Sequence, residues 1–245
     1  MNELGTEKIG KLIKKFAVPC VISMIVAALY NIVDQIFIGW SSAGANGNAA
    51  TNVVYPFTVV ALAISLLIGD GAAANFSLSC GANESNSANK SIGNGLVLLI
   101  IISVLLSAIG FVLCDKILVL FGGNKAEKIM WGYAQSYYLI ICTGLPFYMI
   151  GQGLNASIRS DGAPKYAMFS TLIGAIINIV LDPIFIFVFD MGVRGAAIAT
   201  IIGQIFTFLI SIVYLKIGKN FVLSKESLFI NGKTVKKIIY LGWLH

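Results

Sequence analysis

The sequence predicts an all-α integral membrane protein with six spanning helices. Three observations carry this: 58% of the 245 residues are hydrophobic, only 11% are charged, and the apolar residues gather in six long runs. A soluble domain of this length has too little interior to hide so much apolar surface, so the solvent is lipid. A helix needs about 20 apolar residues to cross a bilayer core, and suitable runs cover 16–39, 53–80, 92–114, 131–153, 166–189 and 195–216. Barrel strands would instead alternate over about 10 residues.

The first span follows a tail bearing Lys8, Lys11, Lys14 and Lys15, contains Pro19, and carries Asn31, Asp34 and Gln35 near its far end. It is longer than the apolar core of a signal peptide and lacks a small-residue cleavage site, so it reads as a retained helix. The second span holds Asp70 between Gly69 and Gly71, with Ala72 to Ala74 beyond. Small residues let helices approach closely in lipid, and without a following Lys-Ser/Thr this is no phosphate loop. Gly81 to Lys90 is Asn/Ser-rich and reads as a loop.

A Gly122-Gly123 turn follows the third span. Tyr137 and Tyr138 lie in the fourth, which leads to Arg159 and the turn Asp161-Gly162-Ala163-Pro164. Arg159 and Asp161 are expected there as a solvated ion pair or turn. The fifth span carries Asn178, Asp182 and Pro183, and the sixth carries the small residues Gly195 to Ala199 and then Thr200. Residues 1–215 are expected to form one helical lobe, 216–237 a basic linker, and 238–245 the truncated start of a seventh helix that stops at His245.

The net charge of +6 is unevenly spread. Most basic residues lie in the tail, at Lys90, at Arg159 and Lys165, and after Lys216; only Lys116, Lys125, Lys128 and Arg194 fall on the other side. The positive-inside rule then puts both ends in the cytoplasm of a multi-pass plasma-membrane protein, and nucleic acid is not an expected partner. Cys20, Cys80, Cys114 and Cys142 lack metal-type spacing and read as packing residues. The lone His245 and the absence of a nucleophile and base pair within the spans argue against an enzyme.

An ionisable group at membrane depth costs about 2.5 to 3.5 kcal/mol, so it calls for a partner or a function. Asp34, Asp70 and Asp182 qualify. With a rise of about 1.5 Å per residue, Asp34 lies roughly 27 Å from the cytoplasmic start of its span, with Asp182 and Thr200 at roughly 24 Å. Tyr137 and Tyr138 come to a comparable height. Asn178 and Asp182 are spaced i, i+4, and Asn31 and Asp34 i, i+3, so each pair shares a helix face. Such an oxygen cluster suits a hard cation such as sodium, and equally a proton held by a buried carboxylate. Pro183 could free backbone carbonyls beside Asp182. Alternatively, the carboxylates face outer water or pair only with amides. Asp70, nearer mid-membrane, is a candidate for the substrate path or for a structural hydrogen bond.

The same residues carry a family resemblance. Pro19 with Asn31-Ile-Val-Asp34-Gln35-Ile-Phe-Ile-Gly39, the exit Gly81-Ala-Asn, Gln152 to Gly162, Asn178 to Phe187 and Gly192 to Gln204 resemble segments of the multidrug and toxic compound extrusion (MATE) family, in the same order. The resemblance implies one lobe of a twelve-helix transporter with a central cleft, exporting cationic amphipathic compounds in exchange for protons or sodium, with no cofactor. It implies a cation-coupling role for Asp34, Asp182, Asn178 and Thr200, to which the depth and spacing above add Asn31, Tyr137 and Tyr138 as supporting residues. Gln35, with Asp70, is a candidate for the substrate path, and Pro19 and Pro183 are candidate hinges. The expected partners are the bilayer, organic cations, and either a missing carboxy-terminal lobe or a second copy. The alternatives are a lipid-linked saccharide flippase of the same superfamily and a non-transporting membrane assembly protein.

Overall fold

The computed structural model describes residues 7–125, 127–218, 220 and 223–244; Lys219 of the linker and the terminal His245 lie outside them. The described chain is helical throughout. Helix α1 spans Ile9–Trp40, α2 Gly44–Gly81, α3 Ser85–Val112, the short α4 Cys114–Leu120, α5 Lys128–Ser160, α6 Pro164–Pro183, α7 Val193–Ile217 and α8 Gly232–Trp243. A π-helical turn, Ile184–Val188, extends α6, and a 3-10 turn covers Lys225–Leu228. Six of these helices, α1, α2, α3, α5, α6 with its π turn, and α7, are long and apolar enough to cross a membrane.

The helices overrun the apolar runs at both ends, because a polar residue does not end a helix unless it breaks the backbone pattern. The expected Asn/Ser-rich loop shrinks to residues 82–84, and Ser85 to Lys90 form the polar opening turns of α3. Arg159 likewise sits in the last turn of α5 rather than in a loop. Neither proline breaks its helix. The ring of Pro19 removes the donor for the Lys15 carbonyl, yet α1 runs on for 32 residues. Past Pro183 the chain continues directly into the π turn.

Helix α2 lies along α5, with α3 packed on both; α6 and α7 pair with each other, α7 leans on α5, and α1 lies chiefly against α6. Most of α1 faces outward, as Ile13, Met24, Ile25 and Ile32 show. Two apolar clusters fill the interior. One, around Phe57, Tyr138 and Leu145, lies toward the α1–α2 turn; the other, around Phe76, Leu154 and Ile158, lies toward the α2–α3 turn. Tyr138 packs on Phe57 in a tilted contact, with ring centroids 4.9 Å apart and planes inclined by 54°.

The 3-10 turn and α8 are docked on the bundle. Asn94 of α3 is fully buried; its Nδ2 donates to the carbonyls of Ser227 and Phe229 at 3.1 Å, and its Oδ1 accepts from the Asn231 N–H at 2.7 Å. Helix α8 starts at Gly232, earlier than the apolar run at 238, because the Asn231 side chain caps the N–H groups of Lys233 and Thr234. It then lies against α2 at backbone distance. A Cβ on Gly71 would run into the Ile238 carbonyl, and one on Gly242 into the Leu67 carbonyl. Because 71 meets 238 and 67 meets 242, the two helices run antiparallel.

Candidate functional site

A cavity of about 950 Å³ is walled by α1, α2, α5, α6 and α7. Its polar lining comes from helical repeats. Asn48, Thr51, Asn52, Tyr55 and Thr58 recur on one face of α2, and Asn178 of α6 with Thr200, Gln204 and Thr207 of α7 form the opposite wall. Ile36, Val59, Leu62 and Phe147 supply apolar surface between them. Asp34 is the only acidic residue among those lining it, and no Lys or Arg is among them.

Asp34 and Asp182 are buried, at 6% and 0% exposure, on helices α1 and α6, which pack together, and Asp34 lies within electrostatic reach of Asp182. The Asn178 amide joins the group: its Nδ2 donates to Asp182 Oδ1 at 3.3 Å and to Thr200 Oγ1 at 3.4 Å. The i, i+4 spacing on α6 sets the first bond, and the α6–α7 contact sets the second. Three acceptor atoms, Asp34 Oδ1, Asp182 Oδ2 and Asn178 Oδ1, are buried without a hydrogen-bond partner. A buried acceptor without a partner is costly and uncommon, and Asp34 lies within electrostatic reach of Asp182, which Asn178 contacts directly.

Of the predicted supporting residues, Tyr137 joins this group. It lines the cavity, with its hydroxyl near Thr200 and within electrostatic reach of both carboxylates. Tyr138 does not. Successive residues on a helix point about 100° apart, so Tyr138 turns away from the cavity to lie beside Phe57, Gly110 and Cys142. Asn31 lines the cavity, but its Nδ2 donates to the Ala27 carbonyl at 2.8 Å and not to Asp34. Gln35 turns to α2, where its Nε2 donates to Thr51 Oγ1 at 3.0 Å.

Asp70 lies apart from the cavity lining, paired with Arg159 at 3.8 Å. Arg159 therefore does not pair with Asp161. Asp161 is buried and accepts from the Tyr214 hydroxyl at 2.6 Å and from the backbone N–H and side-chain amide of Asn220 at 3.0 Å. Sequence reading misses the α2 ladder of Asn48, Thr51, Asn52, Tyr55 and Thr58. Its spacing of three and four residues is the available signal, obscured because the second apolar run begins only at 53.

Residues 19–184 match the family described as MatE. The chain is 29% identical over 203 residues to the multidrug export protein MepA of Staphylococcus saprophyticus, covering 81% of this chain and 43% of that protein. It is 26% identical over 197 residues to the FAD transporter of Shewanella oneidensis, covering 79% of this chain and 42% of that one. Among solved structures, the MATE multidrug transporter DinF-BH superposes with a TM-score of 0.89 at 34% identity, over 98% of this chain and 53% of that chain. A MATE structure in the bent conformation superposes with a TM-score of 0.85 at 25% identity, over 96% of this chain and 52% of that one. The chain thus spans about half the length of the relatives it matches.

Proposed function

The chain belongs to the MatE family, and from that premise we propose that it forms the amino-terminal lobe of a secondary active antiporter exporting cationic amphipathic compounds in exchange for protons or sodium. The observation that carries this reading is that Asp34, Asp182 and Asn178 keep buried oxygens without partners, with Asp34 in electrostatic reach of Asp182 and Asn178 bonded to it, beside a cavity whose described lining has one carboxylate and no basic residue. A cation entering that position satisfies oxygens that are otherwise buried without partners. The polar faces of α2 and α7 and the apolar residues between them suit a substrate with both characters.

The polarity also separates this reading from its rivals. A flavin dinucleotide or a lipid-linked pyrophosphate would bring negative charge toward Asp34 with no Lys or Arg in the lining to receive it. An organic cation gains where those ligands lose. Both chain ends face the cytoplasm in this reading, and the second half of the cleft comes from the part of the relatives that this chain does not cover.

Coupling follows from competition. With a cation or proton held at Asp34 and Asp182, the site no longer attracts a positively charged substrate, so binding of one favours release of the other. Helix α1 is the element suited to move, with Pro19 and Pro183 as its hinge and that of the facing helix. Most of its surface faces outward, and the Gln35–Thr51 hydrogen bond ties it to α2.

The test is drug accumulation in an efflux-deficient bacterial host expressing this 245-residue chain, beside a form extended by a carboxy-terminal lobe. Export by the extended form, abolished by Asp34→Asn with expression unchanged, is the expected result. Unaltered export in that variant would overturn the assignment. Export by the short chain alone would point to two copies rebuilding the cleft.

A further inference from the structure

Below the Asn178–Thr200 contact, α5, α6 and α7 are tied by a buried polar group centred on Asn155, which does not line the cavity. Asn155 of α5, 2% exposed, accepts at Oδ1 from Ser170 of α6 at 2.9 Å and from Ser211 of α7 at 3.2 Å. Its Nδ2 donates to Thr171 Oγ1 at 3.3 Å. The Thr207 hydroxyl of α7 lies 3.2 Å from the Ser170 carbonyl of α6 and equally far from the Gly203 carbonyl of its own helix. One side chain on α5 thus grips both helices that carry the cation site.

The distance between this tie and the site is bridged by rigid structure. A Cβ on Gly203 would lie 2.6 Å from the Gly174 carbonyl and 3.2 Å from Asn178 Cβ, so α6 and α7 touch backbone to backbone just below Asn178. Two helices that meet so closely cannot slide without carrying Asn178 and Thr200 past one another. Their side-chain bond, at 3.4 Å, is already long. A small slip would break it.

We propose that Asn155 is a positioning residue for cation coupling: it holds α6 and α7 in the register that sets the Asn178–Thr200 contact. This rests on the coupling site described above. The hydroxyl geometry makes the role separable from folding. Ser170 Oγ also lies 2.8 Å from the Ala167 carbonyl of its own helix, and Ser211 Oγ 2.8 Å from that of Thr207. Each hydroxyl has one proton. Without Asn155 both donate back along their own helices, so neither hydroxyl is orphaned while the bonds from α5 to α6 and α7 are lost.

The experiment uses the purified 245-residue chain in lipid nanodiscs. The thermal unfolding midpoint is followed against sodium concentration at fixed pH, and against pH without sodium. Wild type, Asp34→Asn, Asn155→Ala and the double variant Ser170→Ala/Ser211→Ala are compared. In Asn155→Ala the half-saturating sodium concentration is expected to rise about tenfold, or the protonation midpoint to move about one unit toward acid, with the full-occupancy shift retained. The double variant removes the two hydroxyl bonds to Asn155 Oδ1, keeps the Nδ2–Thr171 bond and moves the same way by a smaller amount, which keeps the test in force if Asn155→Ala fails to fold. A purely structural role lowers the unfolding midpoint equally at every concentration and leaves half-saturation in place, and that result overturns the proposal. If wild type responds to neither ion, or Asp34→Asn responds like wild type, the coupling site itself falls and this inference with it. If Asp34→Asn loses the response while both tie variants keep the wild-type half-saturation, only the role of Asn155 falls.

Discussion

Asn178 of α6 donates to Thr200 of α7 at 3.4 Å while the same amide nitrogen donates to Asp182 at 3.3 Å. One amide therefore links the carboxylate on its own helix to the neighbouring helix. Neither bond is short, and the Asn178 Oδ1 on the other side of the amide is buried without a partner. The group is held in place but its hydrogen-bonding capacity is not saturated.

Asn178→Ala removes both bonds and leaves Asp182 Oδ1 unpaired. A hydrogen bond to a charged group is worth about 1.5 to 3 kcal/mol, so cation-driven export by an extended form is expected to fall at least about tenfold. Thr200→Val, which spares the Asn178–Asp182 bond, is expected to cost less. Concentration dependence of export on sodium or protons in the two variants checks the order.

Gly71→Val places side-chain atoms where the Ile238 carbonyl now lies, and backbone cannot yield as a flexible side chain would. Helix α8 is expected to lift from α2. Trypsin should then cut after Lys225 and Lys233 several times faster than in wild type. Unchanged digestion would mean that α8 is not held at this contact.

Asp70 and Arg159 are 3.8 Å apart with about a third of each side chain exposed. Such a pair contributes under about 1 kcal/mol. Asp70→Asn and Arg159→Gln are expected to lower the thermal midpoint by no more than about 4 °C each, with export by an extended form intact. Loss of export in Asp70→Asn would return this residue to the substrate path.

Asp115, outside the spans, is held below the ordinary carboxylate value by hydrogen bonds from Lys125, at 2.9 Å, and from Gln135, at 2.7 Å. A depressed folded value means that the clasp stabilises the fold above the unfolded value of 3.8 and is lost as pH falls through the lower folded value. Asp115→Asn is expected to unfold slightly earlier than wild type near neutral pH, with the gap closing in more acid solution. Paired thermal melts across that range measure it.

The six spans and the pairing of Asn178 with Asp182 were legible in the sequence. Run length in lipid and spacing along one helix are local properties, and each is written directly in the order of residues. The likeness of depth among Asp34, Asp182 and Thr200 followed from the same rise per residue. Only the packing of α1 on α6, and of α6 on α7, decided that equal depth meant one cluster. Tertiary structure also decided the fate of individual side chains. It separated Tyr137 from its neighbour Tyr138, sent Asn31 to its own backbone, gave Arg159 to Asp70, and buried Asp161 against Tyr214. These choices depend on helix rotation and on backbone contacts such as Gly71 with Ile238 and Gly174 with Gly203. A glycine in the sequence permits a close approach but does not name the helix that makes it, because the partner lies across the bundle and is fixed only when every helix has packed.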